Sequence, residues 1–347
     1  MDLASARRRW DVDDVDSVWL NTAQYGIPPR TAVTALTEAM RVWRTGSEGP
    51  QAWGRAGEIA RHHFAALVGA PVEGITQGAT TAQLLGTVAA SLPEGARVVV
   101  PEGDYTSAVF PWRAQADRGV EVVAVPLDKL ADAVDARTSI VAFSLVQSAT
   151  GELAPVNEVL AAAHAVDAWT AVDATQAAGW LPLDATRFDM VAVSAYKWLM
   201  APRGLAYGYL SPRLRAATRP LNAGPTAAED PMASFYSTEM HLSPTASRFD
   251  LSPAWFACVG AAASLGTLRE IGVDTVHKHN VALANRFLTG LGLPPGDSAI
   301  VTVERPNAGE RLRAAGVHAA ERAGRARLSF HVYTTEDDTD RAVAALR

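Results

Sequence analysis

The chain has 347 residues, 48% hydrophobic and 20% charged, an ordinary globular composition that excludes disordered and fibrous architectures and leaves room for one large α/β unit with a smaller lobe. A formal charge of −6 gives no general attraction for polyanions, despite a basic spot at residues 7–9, so nucleic acid is not an expected partner. The single cysteine, Cys258, excludes an internal disulfide and a thiolate metal cluster.

Residues 1–10 carry positive charge, but Asp11, Asp13, Asp14 and Asp16 follow where a signal peptide would need an apolar stretch, and the acidic run reads as a solvated segment. No stretch approaches the roughly 20 consecutive apolar residues of a membrane span. A cytoplasmic protein with no membrane contact is therefore expected. Short apolar runs then alternate with alanine-rich segments, the pattern of a mainly parallel sheet covered by helices. Strands are predicted at 97–101, 120–125, 140–145, 170–172, 190–193 and 206–209, with helices at 79–91, 107–118 and 156–166 among the segments between them. Residues 211–252 lack periodicity and read as a loop-rich linker. A helix over 254–271 follows, then a helix over 275–291, strands at 299–304 and 326–332, and a final helix from 336. The fold class is α/β, with an N-terminal segment (1–25) packing on the small lobe, a large domain (26–252, linker included) and a smaller α+β domain (253–347).

Two strands end in polar residues: 170–172 runs into Asp173-Ala-Thr-Gln176, and 190–193 into Ser194-Ala-Tyr196-Lys197-Trp198. Open α/β sheets place ligand crevices at such strand ends. Asp173 and Lys197 are 24 residues apart, about one βαβ crossover, so they can occupy neighbouring strand ends. A pyridoxal-phosphate (PLP) site needs this pair: a lysine to form a Schiff base and an acid to hold the pyridinium nitrogen protonated. In isolation Asp173 would read as a helix cap and Lys197 as a surface lysine, but the apolar strand before Lys197 and its aromatic neighbours argue otherwise. Gln77-Gly78-Ala79-Thr80-Thr81-Ala82-Gln83 opens a helix whose free N–H groups and threonine hydroxyls suit a phosphate. A plain N-cap by Thr80 or Thr81 explains it equally well. His62-His63 and His277-Lys278-His279 have no accompanying carboxylate or cysteine cluster, so no metal is expected, and neither a Walker motif nor a strand-borne Gly-x-Gly-x-x-Gly is present.

These motifs resemble the class V aminotransferase family, a branch of the aspartate-aminotransferase fold that includes cysteine desulfurases, kynureninases and isopenicillin-N-epimerase-like proteins. The similarity runs from Trp19-Leu-Asn21-Thr-Ala-Gln-Tyr-Gly to Ala326-Arg327-Leu-Ser-Phe-His-Val-Tyr. It implies a PLP-binding large domain in which Lys197 is the Schiff-base residue, Asp173 faces the pyridine nitrogen and Gln176 donates to the ring O3′. By the same resemblance Thr80, Ser194 and Tyr196 hold the phosphate, joined by Thr81 at the helix start, and Tyr105 lies over the ring. The resemblance also implies that Arg327 binds the substrate α-carboxylate, although Arg322 and Arg325 are close by, and that Asn21 and either Gln147 or Ser148 complete the substrate contacts. It implies further that Ser252 reaches the phosphate of a neighbouring subunit, in a homodimer with its active site at the interface.

A desulfurase carries its thiol on a loop of the C-terminal lobe, and residues 291–327 contain no cysteine. The segments Gly103-Asp-Tyr-Thr-Ser-Ala-Val-Phe-Pro-Trp and Val193-Ser-Ala-Tyr-Lys-Trp-Leu-Met-Ala-Pro-Arg-Gly are similar to the ergothioneine-biosynthesis branch, which implies a C–S β-lyase cleaving hercynylcysteine sulfoxide to pyruvate and ammonia. Another class V activity (aminotransferase, epimerase, kynureninase-like hydrolase or desulfurase-like enzyme) and a noncatalytic PLP-fold binding protein remain the alternatives.

Overall fold

The computed structural model describes residues 6–12, 16–47 and 49–347; residues 1–5 of the N-terminal segment and Asp13 and Asp14 of the acidic run lie outside them. In chain order the elements are β1 (Val18–Trp19), α1 (Arg30–Thr45), α2 (Pro50–Leu67), β2 (Ile75–Gly78), α3 (Thr81–Ala89), β3 (Arg97–Pro101), α4 (Thr106–Arg113), β4 (Glu121–Val125), β5 (Thr138–Ser144), α5 (Val156–Ala165), β6 (Trp169–Asp173), β7 (Met190–Ser194), β8 (Ala206–Leu210) and α6 (Pro212–Ala217). The tail adds α7 (Trp255–Ile271), α8 (Val273–Gly290), β9 (Ile300–Val303), α9 (Ala308–Ala314), β10 (Val317–His318), β11 (Ala320–Arg322), β12 (Arg325–Ser329) and α10 (Glu336–Leu346).

Seven strands form the main sheet in the order β2-β8-β7-β6-β5-β3-β4, and only β8 runs against its neighbours. The sheet is apolar on both faces, as parallel strands under helices must be. Val99, Val141, Phe143, Val172, Val191 and Val193 enter one core cluster. Their alternating neighbours Val98, Val100, Ile140, Ala142, Ala171 and Ala192 enter the other. Because both faces are buried, the strands stand out in the sequence as short continuous apolar runs, not as an alternation. The unpredicted strand β2 has four residues, too short to show a period, and α1 buries only Ala32, Ala39 and Val42, a thin stripe.

Several boundaries differ from the sequence reading. The helix predicted over 107–118 ends at Arg113 and is followed by a 3₁₀ turn at Ala116–Arg118. The strand predicted over 326–332 ends at Ser329, because the chain turns and His331 O accepts from Thr334 N at 2.8 Å. Residues 211–252 are less free than a linker: Ala246 and Phe249 pack into the second cluster, and Asp250 accepts from Thr76 Oγ1 at 2.9 Å and Gln77 N at 2.8 Å. Helix α7 packs on α1 and α2, and its Ala257, Cys258, Ala261, Leu265 and Leu268 belong to the main cluster. A separate tail core gathers Leu283, Ala284 and Phe287 of α8 with Val301, Leu328, Phe330 and Val343, and it takes in Val18 and Leu20 because β1 pairs in parallel with β10. Helices α7 and α8 meet at 81°, and no single helix among the described residues is long and apolar enough to cross a membrane.

Candidate active site

The carboxyl ends of β5, β6 and β7 lie side by side, with Ser144 opposite Asp173 and Asp173 opposite Ala192. The chain leaves β7 at Ser194 and makes a tight turn in which Met200 N donates to Lys197 O and Ala201 N to Ala195 O, both at 3.0 Å. Met200 adopts a left-handed conformation (φ 54°) to close it. Gly26 is pressed against this turn: its N–H donates to Tyr196 O at 3.0 Å, and a Cβ there would lie 2.1 Å from Lys197 O. The turn directs Lys197 into a recess floored by Asp173, and both side chains are almost fully buried.

Burial dominates the electrostatics. It lowers the Lys197 ammonium to about 8, partly offset by Asp173 and reinforced by Arg327 and Arg322. It also raises the Asp173 carboxyl, although Thr175 and Lys197 oppose the rise, and Thr175 N donates to Asp173 Oδ1 at 2.8 Å. The Lys197 Nζ lies 5.3 Å from the Tyr105 ring centroid and 5.9 Å from that of Tyr196. Tyr105 is half exposed and covers the recess.

At the start of α3 the two threonines divide the work. Thr80 caps the helix, accepting from Gln83 N at 3.1 Å. Thr81 turns inward, its hydroxyl 2.9 Å from Ser194 Oγ and 3.1 Å from Thr175 Oγ1. The recess thus joins an amine, a buried carboxylate and a hydroxyl cluster at a helix start. That donor set fits PLP: the amine for its aldehyde, the carboxylate for its ring nitrogen, and the hydroxyls and free N–H groups for its phosphate.

Toward the tail, Arg327 is buried to 1% exposure. Its Nη1 donates to Ser148 O at 2.6 Å, while Nε and Nη2 have no partner. Burial lowers this guanidinium to about 10, so it stays charged at neutral pH. Two adjacent orphaned donors on one edge of a guanidinium match a carboxylate in two-pronged contact. Asn21 bridges Ser329, which shares a strand face with Arg327, and the buried Asn21 Oδ1 is also unpartnered. Ser148 is therefore the residue of its pair that meets Arg327. Gln147 instead packs under the Tyr105 loop, donating to Ser144 O at 3.4 Å.

Gln176 was expected to donate to the ring O3′, but its Nε2 donates to Ala23 O and Ser148 Oγ, each at 3.1 Å, and its Oε1 accepts from Trp198 Nε1 at 2.8 Å. Both amide hydrogens are engaged within the chain, so a ring contact would have to displace Ser148. Ser252, expected at the phosphate of a neighbouring subunit, is exposed and lies outside the recess of its own chain.

Sequence reasoning missed the supports. Asp104, quoted only as part of a motif, accepts from Ser144 N at 2.8 Å and Ser144 Oγ at 2.6 Å, tying the Tyr105 loop to β5. His331 lies 3.0 Å from Trp198 O through Nε2 and anchors the lysine turn to the tail; burial pushes its ring down to about 3, so it is neutral. Arg203 also lines the recess. His331 is a lone polar residue in an apolar run, and Asp104 and Arg203 sit in turn segments, so none of them showed a pattern by which to find it.

The profile of the family described as aminotransferase class-V matches residues 36–318. A probable cysteine desulfurase of Methanothermobacter thermautotrophicus is 28% identical over 293 residues, covering 78% of this chain and 72% of the relative. In structure, the cysteine desulfurase CsdA of Escherichia coli superposes with a TM-score of 0.84 at 22% identity, covering 99% of this chain and 97% of CsdA. The cystine C-S lyase C-DES, in complex with cysteine persulfide, superposes with a TM-score of 0.85 at 19% identity, covering 95% of this chain and 97% of the lyase.

Proposed function

The chain belongs to the class-V aminotransferase family, which depends on PLP, and from that premise we propose that it is a carbon–sulfur β-lyase acting in the cytoplasm on a cysteine-derived amino acid. The observation that carries this reading is the seat of Cys258. It is the sequence's one cysteine, it is fully buried on α7, and burial pushes its thiol up to about 11. A desulfurase that draws sulfur onto its own thiol needs an accessible thiolate, so here the sulfur departs with its substituent.

When bound, PLP supplies the electron sink for a carbanion at the substrate Cα. Asp173 would hold the proton on the ring nitrogen, and Thr81 and Ser194 with the start of α3 would hold the phosphate. Arg327 grips the α-carboxylate through Nε and Nη2, with Asn21 and Ser148 beside it. Lys197 Nζ, freed when the substrate amine takes its place on the cofactor, would accept the proton from Cα, its lowered basicity leaving a usable neutral fraction near pH 7 to 8. The net reaction would break the Cβ–S bond with its electron pair on sulfur and, with one water, release pyruvate and ammonia.

Outside the recess lies a second pocket of about 630 Å³ walled by Tyr25, Tyr105, Tyr196, Met200 and Pro202, larger than a bare thiol requires. It suits a flat, ring-bearing substituent on sulfur. Within the class, the motif resemblance favours hercynylcysteine sulfoxide, whose sulfenate leaves more readily than a thiolate. Holoenzyme incubated with cysteine S-conjugates and their sulfoxides should release pyruvate fastest from the imidazole-bearing sulfoxide. Alanine with persulfide as main products, or amination of a keto acid, would overturn the lyase reading. The desulfurase names of the relatives favour that second reading. The reading includes a homodimer in which Ser252 reaches the partner's phosphate pocket; an active monomer in sedimentation would remove that part.

A further inference from the structure

The recess wall contains two cations, Lys197 and Arg203, and Lys197 is taken by the covalent link to the cofactor. Arg203 makes no ion pair or hydrogen bond among the described residues. Its side chain is exposed, and its guanidinium carbon lies 5.3 Å from the centroid of the Tyr196 ring, a cation–π approach that biases the fork toward the recess wall. The backbone beneath it is held more firmly. Pro202 packs so closely on α7 that a Cβ at Gly260 would lie 2.6 Å from it, and Gly204 takes φ 104° to turn the chain back into β8.

We propose that Arg203 is the charge partner of the PLP phosphate. The hydroxyls of Thr80, Thr81 and Ser194 and the N–H groups opening α3 are neutral donors, whereas the phosphate brings close to two negative charges into a recess that already holds Asp173. Neutral donors position such a group; a guanidinium also neutralises it, and its planar fork suits phosphate oxygens. Arg203 borders the outer pocket as well, so its charge, once matched by phosphate, no longer opposes a cationic substituent there.

The inference rests on the PLP reading but not on the reaction assigned to it, and binding to apoenzyme tests it directly. Titration of apoenzyme with PLP and with pyridoxal, which lacks the phosphate, should show Arg203→Gln weakening PLP by about tenfold to a hundredfold while pyridoxal is unchanged. Arg203→Lys should recover most of the loss, and the salt dependence of PLP affinity should be smaller for Arg203→Gln than for wild type. Equal effects on PLP and pyridoxal, or no effect on either, would overturn the proposal. So would a rise confined to the KM for the amino acid, which would make Arg203 a substrate residue. Wild-type protein that binds no PLP would instead sink the cofactor reading itself.

Discussion

Arg61, on α2, and Arg327, on β12, are 6% and 1% exposed, and their surroundings differ in every other respect. Arg61 spends its donors inside the chain: Nη1 on Ile75 O at 2.6 Å, Nε on Glu58 Oε2 at 3.1 Å and Nη2 on Asp250. Arg327 has Ser148 and two orphaned nitrogens. Accordingly the ion pairs around Arg61 raise its affinity for a proton despite burial, whereas burial with little compensation lowers that of Arg327. A buried cation without a partner costs several kcal/mol. The first arginine secures the strap from α6 to α7; the second stores an unmet demand for an anion, which is what a binding site requires.

The sharpest separation of the two regions comes from Lys197→Ala. Turnover should fall by about 10² to 10⁴-fold from loss of the proton acceptor alone, and the visible absorbance of the holoenzyme should vanish. Circular dichroism should show the apoenzyme no less stable, since a desolvated amine has been removed. A large drop in melting temperature would mean the site is part of the scaffold after all.

Asp250→Ala should do the reverse, costing about 3–5 kcal/mol in urea unfolding by leaving Arg61 buried and unpaired. Joint replacement with Arg61→Met should recover much of it. If Asp250→Ala is no more costly than Arg327→Met, the contrast between the arginines collapses.

Arg327→Met should lower kcat/KM for the amino acid by about 2–5 kcal/mol through loss of the carboxylate contact, with apoenzyme stability unchanged or higher. Unchanged kinetics would move carboxylate binding elsewhere, to Arg322 in the first instance.

The smallest effect is one of pH. The folded Lys197 value of about 8 lies below its ordinary 10.5. Between the two, the unfolded chain binds more protons, so apoenzyme stability should rise with pH across that window by up to about 3 kcal/mol and stay penalised below it. Lys197→Met should flatten the rise; an identical slope in both proteins would show that Lys197 is not buried as described.

The sequence by itself determined the layered α/β arrangement and the pair at its heart. A continuous apolar run such as Val98 to Val100 is a local property of a strand buried on both faces, and Asp173 and Lys197 stand at or just past the ends of two such runs. Tertiary structure decided which of several equivalent side chains face the site. Arg325 points to Glu304 at the surface and Arg322 donates to Glu321 O, leaving Arg327 inward. Ser148 rather than Gln147 meets it, across 179 residues of chain. Thr80 caps while Thr81 turns in, Gln176 is held by Ala23 and Trp198, and Cys258 is sealed beneath Gln77. A side chain's direction depends on what distant segments press against it, and local sequence carries no record of those contacts.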